Sequence, residues 1–346
     1  MGIKNLNRLL TKVCPEVFTE NHISKFTFKK IAIDTSLYVC KYKVIYGEEW
    51  FRNIFLLIAK LRENDIHTVF IFDSKAPPEK EMERIERQKK QDFLKEKILK
   101  MSYAIDHYYV SGEILPILKK YESVQLLRNT TNFNIENAKR DLEKVKRQVI
   151  TKTKEDFAKT KELLKVLKVP YYDAPMEAEC AAADLCKRGL VDAVLTEDTD
   201  CLTYGTPTMI TKFKSATGEY TEVLHKDIMS GLRINKDEFV DLCILCGCDY
   251  NKNIPRVGPM KSYELILKHR NIDRIKSETS HNTDILNYER SRELFTQYEK
   301  MEMDQVPFCG MPNEEEVINF LRSNGIDVTS EFIEKSFIHN VVVFED

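Results

Sequence analysis

Several absences narrow the function of this 346-residue chain before any motif is read. No apolar run reaches the roughly 20 residues that a membrane-spanning helix needs. The opening MGIKNLNRLL carries no apolar signal segment, and Leu6 stands where N-myristoylation requires Ser or Thr. No internal repeat and no low-complexity linker interrupts the chain. The nine cysteines are an odd number and scattered, which points to a reduced, intracellular protein, in the nucleus or cytoplasm. Cys243, Cys246 and Cys248 in LCILCGCDY lack a second Cys or His pair at zinc spacing, and two of them sit in an apolar helix-like run, so they read as buried structural thiols. A net charge of -2 excludes a global field attracting nucleic acid. Charge is uneven, however: residues 139–168 hold eleven Lys or Arg against five Asp or Glu, so any nucleic-acid contact is a local patch.

What is present reads as an α/β chain. KKIAIDT (29–35), HTVFIFD (67–73), VPYYDA (169–174) and DAVLT (192–196) have strand character, with VPYYDA at an edge. EEWFRNIFLLIAKLREN (48–64) has apolar residues at helical spacing. Charged helical stretches are expected over about 78–100 and about 135–168, and Pro175 is expected to open an alanine-rich helix. Strands separated by helices predict a mostly parallel sheet with helices on both faces.

Three of these strands end in carboxylates. In open α/β sheets the ligand lies beyond the carboxyl ends of the strands, so Asp34, Asp73, Asp198 and Asp200 should converge on one edge. Asp198 and Asp200, two apart, share a side if that segment is extended. Glu177 and Glu179 in APMEAECAAADL cannot both face one site from mid-helix, but in a first turn both can reach it. Asp249 ends the apolar LCILCGCD. Seven converging carboxylates repel one another unless cations lie between them, and all-oxygen ligation suits Mg²⁺ or Mn²⁺. A lone D-x-D would read as a solvated acidic loop; seven such residues point instead to a two-metal phosphodiesterase.

In that setting the chain resembles the flap endonuclease family, the XPG/Rad2-type structure-specific 5′ nucleases. MGIKNL, IAIDTSLY, VFIFDSKAPPEK, EAEC, TEDTD and GCDYNKNIPRVGP occur in the family's order, over residues 1 to about 100 and 169 to about 270. The resemblance implies a PIN-like, Rossmann-like fold with a helical arch and a helix-two-turn-helix DNA-binding element. It implies that Asp34, Asp73, Glu177, Glu179, Asp198, Asp200 and Asp249 bind two Mg²⁺, with Mn²⁺ able to substitute, or form the second shell. A lysine seven and an arginine fourteen residues past the second aspartate address the scissile phosphate in the family; here these are Lys80 and Arg87, with Arg84 between them at helical spacing. The alternative for these three is a solvated charged helix. NIPRVGP (253–259) resembles the family's hairpin, in which the carbonyls of Asn253, Ile254 and Val257 would hold K⁺ and Arg256, Gly258 and Lys261 would lie along the duplex; a glycine is usual where Arg256 stands. Gly2 is implied to lie near the junction. Cys40 replaces a template-stacking aromatic, leaving Tyr38 and Tyr42 either to stack on a base or to be buried.

The expected divisions are an N-terminal nuclease region (1–107), an arch (108–168), an internal nuclease region (169–235), the helix-two-turn-helix (236–290) and a C-terminal extension (291–346). Asp73 and Glu177 lie 104 positions apart, so most of that segment must stand outside the sheet, and part of residues 88–168 is expected to be mobile until DNA orders it. The tail SFIHNVVVFED carries no sliding-clamp motif and no basic import signal. The abundant Lys, Asn and Ile suggest an AT-rich source such as a large DNA virus, and hence a viral replication site. The leading expectation is a Mg²⁺-dependent flap endonuclease and 5′-3′ exonuclease acting on branched or flapped duplex DNA in replication, repair or recombination. A four-way-junction resolvase and a 5′ exoribonuclease share the same core. A DNA-binding scaffold with a dead site would predict lost carboxylates, and none is lost.

Overall fold

The structure, a computed structural model, describes residues 2–125 and 130–338; residues 126–129 of the expected arch and 339–346 of the expected C-terminal extension lie outside the described residues. In chain order the elements that place the site are α1 (Leu6–Val13), β1 (Phe18–His22), β2 (Lys30–Asp34), α2 (Thr35–Tyr46), α3 (Trp50–Arg62), β3 (His67–Phe72), α4 (Glu81–Ser111), β4 (Glu122–Gln125), β5 (Thr130–Phe133), α5 (Ile135–Gln148), α6 (Lys154–Val166) and β6 (Tyr171–Asp173). They continue with α7 (Ala178–Lys187), β7 (Ala193–Leu195), α8 (Asp200–Thr203), β8 (Thr208–Thr211), β9 (Glu219–Leu224), α9 (His225–Leu232), α10 (Lys236–Cys246) and α11 (Pro259–His269).

Seven strands form one sheet in the order β1-β9-β8-β7-β2-β3-β6. The four expected strands are β2, β3, β6 and β7, all parallel, with β6 at the edge as anticipated. Side chains alternate across the sheet, which explains why helices cover both faces. Ile31, Ile33, Phe70, Phe72 and Leu195 pack toward α2, α3 and α6; Ala32, Val69, Ile71 and Val194 pack toward α1, α7, α9, α10 and α11. Beyond the expected strands, β8 extends the parallel set, and β9 and β1 close the sheet in antiparallel fashion. The last described part of the chain is not an appendage. Val317, Leu321, Ile333 and Phe337 are buried in the same core as α3 and α6, with Phe55 stacked on Phe337.

The segment between β3 and β6 departs most from expectation. α4 runs unbroken to Ser111, past the division expected at residue 107, and the second charged stretch is two helices, α5 and α6, separated at residues 149–153. Leu142 and Ala138 of α5 meet Met101, Ala104 and Ile105 of α4 and Leu118 in a third, separate core, with Tyr108 edge-on to Phe133. These few apolar residues are enough to seat α5, because they recur at helical spacing on one face. All nine cysteines are unpaired, and Cys243, Cys246 and Cys248 are buried as expected.

Candidate active site

The carboxyl ends of β2, β3 and β7 lie side by side in the sheet, so the residues that follow them share one rim. Asp34 ends β2 and caps α2: its Oδ1 accepts from the Leu37 N–H at 3.1 Å and its Oδ2 from the Thr196 hydroxyl at 3.1 Å. Burial, with Asp73 close by, pushes its pKa up to about 7. Asp73 follows β3. Burial acts to raise its pKa too, but Lys152 Nζ at 2.7 Å from Oδ2 and the Ala178 N–H donating to Oδ1 at 2.9 Å hold it below the usual carboxylate value.

Two local details differ from the sequence reading. α7 begins at Ala178, not at Pro175, so Glu177 occupies an extended capping position while Glu179 falls in the first helical turn. That break in periodicity lets side chains two apart reach one site. Asp198 and Asp200 are not on an extended segment either: Asp198 Oδ1 accepts from the Asp200 N–H at 3.1 Å, folding the chain into the turn that starts α8. Gly2, with φ +80°, packs against this turn. A Cβ there would lie 2.1 Å from Asp198 Oδ1 and 2.6 Å from the Asp200 nitrogen.

Lys80, in the turn before α4, reaches into the rim. Its ammonium pairs with Glu177, with Asp249 at 3.0 Å and with Glu179 at 3.8 Å. Burial opposes its charge, but the surrounding carboxylates outweigh that and hold it firmly protonated. Tyr250 donates to Glu177 Oε2 at 2.8 Å and is itself hydrogen-bonded to Tyr204. Burial, then neighbouring charge, raises Glu179 and Asp200 well above ordinary carboxylates; burial raises Asp198 as well. Asp200 is the extreme case: it is 1% exposed, and neither carboxylate oxygen has a hydrogen-bond partner. A buried ionised carboxylate without a partner is costly, so this donor set suits a hard cation. Among the described residues no three of these groups close on a single point at ligand distance. Lys80 and Lys152 place ammonium groups directly against these carboxylates.

The other expected contacts sit around this rim. Arg87 does not converge with Lys80; it is half-exposed and paired with Glu83 at 2.6 Å, lining a cleft of about 650 Å³ with Met82, Asp249 and Asn253. Arg84 is exposed. Tyr38 and Tyr42 are buried, Tyr38 wholly so, with Tyr42 hydrogen-bonded to Ser215. Both point into the core from α2, so base stacking by them is corrected to a packing role. α10 and α11, joined by residues 247–258, occupy the place expected for the helix-two-turn-helix. Arg256 adopts φ +63°, a conformation that favours glycine, at the position where the family usually has one. Gly258 caps α11, Lys261 is exposed, and the Ile254 carbonyl accepts from the Val257 N–H. The N-terminus is tied to this turn: the Lys4 N–H donates to the Gly247 carbonyl and Lys4 Nζ to Asn253 Oδ1. Lys152, Thr196 and Tyr250 were missed by sequence reasoning. The last two adjoin carboxylates in LTEDTD and GCDY, whereas nothing in the sequence singles out Lys152 among the lysines of 139–168.

A mostly parallel sheet with helices on both faces and carboxylates along one rim is a PIN-like fold. The XPG N-terminal domain matches residues 1–93, and the XPG I-region matches residues 168–249. A probable RAD2-like endonuclease of Invertebrate iridescent virus 6 is 32% identical over 88% of this chain and 82% of its own length. Flap endonuclease 1 of Aedes aegypti is 32% identical over 93% and 82% respectively. Among solved structures, the Rad2 catalytic core in complex with DNA substrate superposes with TM-score 0.68 at 18% identity, covering 97% of this chain and 99% of that one. Flap endonuclease-1 from Methanococcus jannaschii gives TM-score 0.61 at 22% identity, covering 93% and 96%. The chain belongs to the XPG/Rad2 family of structure-specific flap endonucleases, nucleases that act on flapped DNA. No helix among the described residues is long and apolar enough to cross a membrane.

Proposed function

We propose that the rim holds two divalent cations, Mg²⁺ or Mn²⁺, and that the protein hydrolyses a DNA phosphodiester at the base of a 5′ flap, with 5′-3′ exonuclease activity on the same centre. The observation that carries this reading is Asp200, whose two buried oxygens have no partner within a cluster of seven carboxylates. Asp34, Asp73, Glu177, Glu179, Asp198, Asp200 and Asp249 would hold the ions directly or through water. When bound, the ions supply an activated water and charge to the scissile phosphate.

The chain's own groups do the rest. Lys80, already inside the rim, offers its ammonium to a phosphate oxygen as negative charge builds there. Arg87 does the same from the cleft wall once released from Glu83. Gly2 leaves room beside Asp198 for a close backbone approach. Arg256, Gly258 and Lys261, at the start of α11, lie along duplex phosphates, where backbone N–H groups favour an anion. The carbonyls of Asn253, Ile254 and Val257 are the monovalent-cation candidates at the same turn.

The test is cleavage of labelled 5′-flap, nicked, gapped, four-way-junction and RNA substrates side by side, with Mg²⁺, Mn²⁺ or EDTA. The flap should be cut fastest, and only with a divalent ion. Preferred resolution of the four-way junction, or of RNA, would replace this reading.

A further inference from the structure

Lys152 has no role in the reading above, yet it makes the only ion pair to Asp73 found among the described residues. Its backbone lies in the short connection between α5 and α6, and that connection is fastened on both sides. Lys43 of α2 donates to the Thr151 carbonyl at 2.9 Å and pairs with Asp156. Thr153 and Asp156 form a reciprocal cap at the start of α6. At the other end, Gln91, a third of the way along α4, donates to the Gln148 carbonyl and ties the last turn of α5 to that helix. Lys152 therefore stands at a fixed point where the second leg of the arch reaches the sheet. Its side chain is about one-third exposed, and its ammonium reaches Asp73 Oδ2 from the solvent side of the rim.

Asp73 has two oxygens. The Ala178 N–H holds Oδ1, and Oδ2 is the one that Lys152 takes. A divalent ion on Oδ2 and an ammonium 2.7 Å from it compete, since two like charges on one carboxylate oxygen repel each other. Lys80 presents a similar picture across the rim, but it is buried and held by three carboxylates. Lys152 has one carboxylate partner found among the described residues, lies over the Phe157 ring at 5.5 Å and is partly open to solvent.

Resting on the metal-site reading, we propose that Lys152 is a positioning residue that occupies Asp73 as an internal cation in the free protein. When a divalent ion takes Oδ2, the ammonium passes to a backbone phosphate of the single-stranded 5′ arm under the arch. Metal loading and capture of the arm are thereby coupled through one side chain. Swinging from one oxyanion to another keeps the ammonium paired throughout, so the exchange requires no unpaired buried charge.

The experiment measures Mn²⁺ binding to the DNA-free protein by electron paramagnetic resonance for wild type, Lys152→Met, Lys152→Gln, Lys152→Arg and Asp200→Asn. It then measures binding of a 5′-flap duplex and of the same duplex without its flap in Ca²⁺. Both neutral variants should bind Mn²⁺ about three- to tenfold more tightly than wild type, the range expected for removing one partly exposed competing charge. Both should weaken flap binding by a similar factor and leave the unflapped duplex unchanged, and Lys152→Arg should stay near wild type in each assay. Unchanged or weaker Mn²⁺ binding by the neutral variants, with Asp200→Asn still losing affinity, would overturn the role of Lys152 alone. Mn²⁺ binding that Asp200→Asn leaves intact would overturn the metal-site reading on which it rests.

Discussion

The carboxylate rim and the arch face each other across one cleft, but they are held by different physics. The rim is positioned by the sheet: its acidic residues follow buried parallel strands or cap buried helices, so the backbone that carries them has no freedom to relax away from like charge. Its electrostatic cost is only partly offset in the free protein by Lys80 and Lys152, since Asp34, Glu179, Asp198 and Asp200 stay above ordinary carboxylates. The arch is positioned by itself. Its third core is small, its surface charges pair at helical spacing, as in Arg87–Glu83 and Lys100–Glu96, and large apolar side chains such as Phe93, Leu99 and Tyr103 remain exposed. One region holds charge on a frame buried on both faces; the other rests on a small core of its own and is tied to that frame at its feet. The two meet at Lys80 and Lys152, which stand at the feet of the arch and reach into the rim.

The sharpest way to break this contrast is to remove the bridge. Lys80→Ala should slow single-turnover cleavage by about 10²–10³-fold, the usual loss for one group that stabilises developing charge. Arg87→Ala should cost less, because Arg87 must first leave Glu83. Equal rates for both variants and wild type would detach the arch from the chemistry.

A smaller loss is expected from the rim's own packing. Gly2→Ala puts a Cβ into the space filled by Asp198 Oδ1 at a backbone angle that disfavours side chains. Displacing that carboxylate by a fraction of an ångström should lower cleavage by roughly tenfold. An unimpaired Gly2→Ala would show that the turn is not rigid.

Within the arch, Leu142→Ala should destabilise the third core by about 2–5 kcal/mol, as other buried leucines do. It should expose protease sites between residues 98 and 148 while the main unfolding transition stays in place. A matched drop in that transition would mean the arch and the sheet fold as one unit. Limited proteolysis of the wild type with and without an uncleavable flap tests the expected ordering by DNA; sites already protected without DNA would refute it.

The smallest expected effect is the dependence of stability on pH. Asp34, raised to about 7, together with Asp198, Asp200 and Glu179, binds protons more tightly folded than unfolded. These groups favour the folded state fully below the ordinary carboxylate pKa, and that contribution is lost as pH rises through the folded values. Asp73 acts in the opposite direction within the rim, and Glu63, Glu79, Glu96, Asp141, Glu155, Glu219 and Asp273, lowered by their partners, do so outside it. In EDTA, Tm of the wild type should therefore fall relative to that of Asp200→Asn by a few degrees between about pH 4 and pH 7, and Mg²⁺ should reverse the fall at the upper end. A wild-type Tm that rises steadily relative to Asp200→Asn across that window in EDTA would contradict the cost assigned to the rim.

The rim was legible in the sequence because strand ends are marked by an abrupt change from apolar residues to Asp, and the sheet then brings those ends together. The central parallel strands were legible for the same reason. What the sequence did not reveal depends on distant partners or on local hydrogen bonds that outweigh periodicity. β8, β9 and β1 read as ordinary mixed segments until they pair with one another. The start of α7 moved from Pro175 to Ala178, and Asp198 captured the Asp200 N–H instead of lying extended. Tyr38 and Tyr42 have one sequence signature whether buried or exposed, and only the packing of α2 decides between them. Lys152 is one cation among many in a charged stretch, chosen by the connection that carries it.

The most direct test of the central claim, that the rim is a cation-binding centre built around Asp200, is single-turnover cleavage of a 5′-flap duplex by Asp200→Asn in Mg²⁺, paired with its binding of the same duplex in Ca²⁺. Cleavage should fall by on the order of 10³-fold or more while DNA binding stays within about twofold of wild type, because the phosphate contacts lie elsewhere. A folded Asp200→Asn protein that cuts the flap at near the wild-type rate would contradict it.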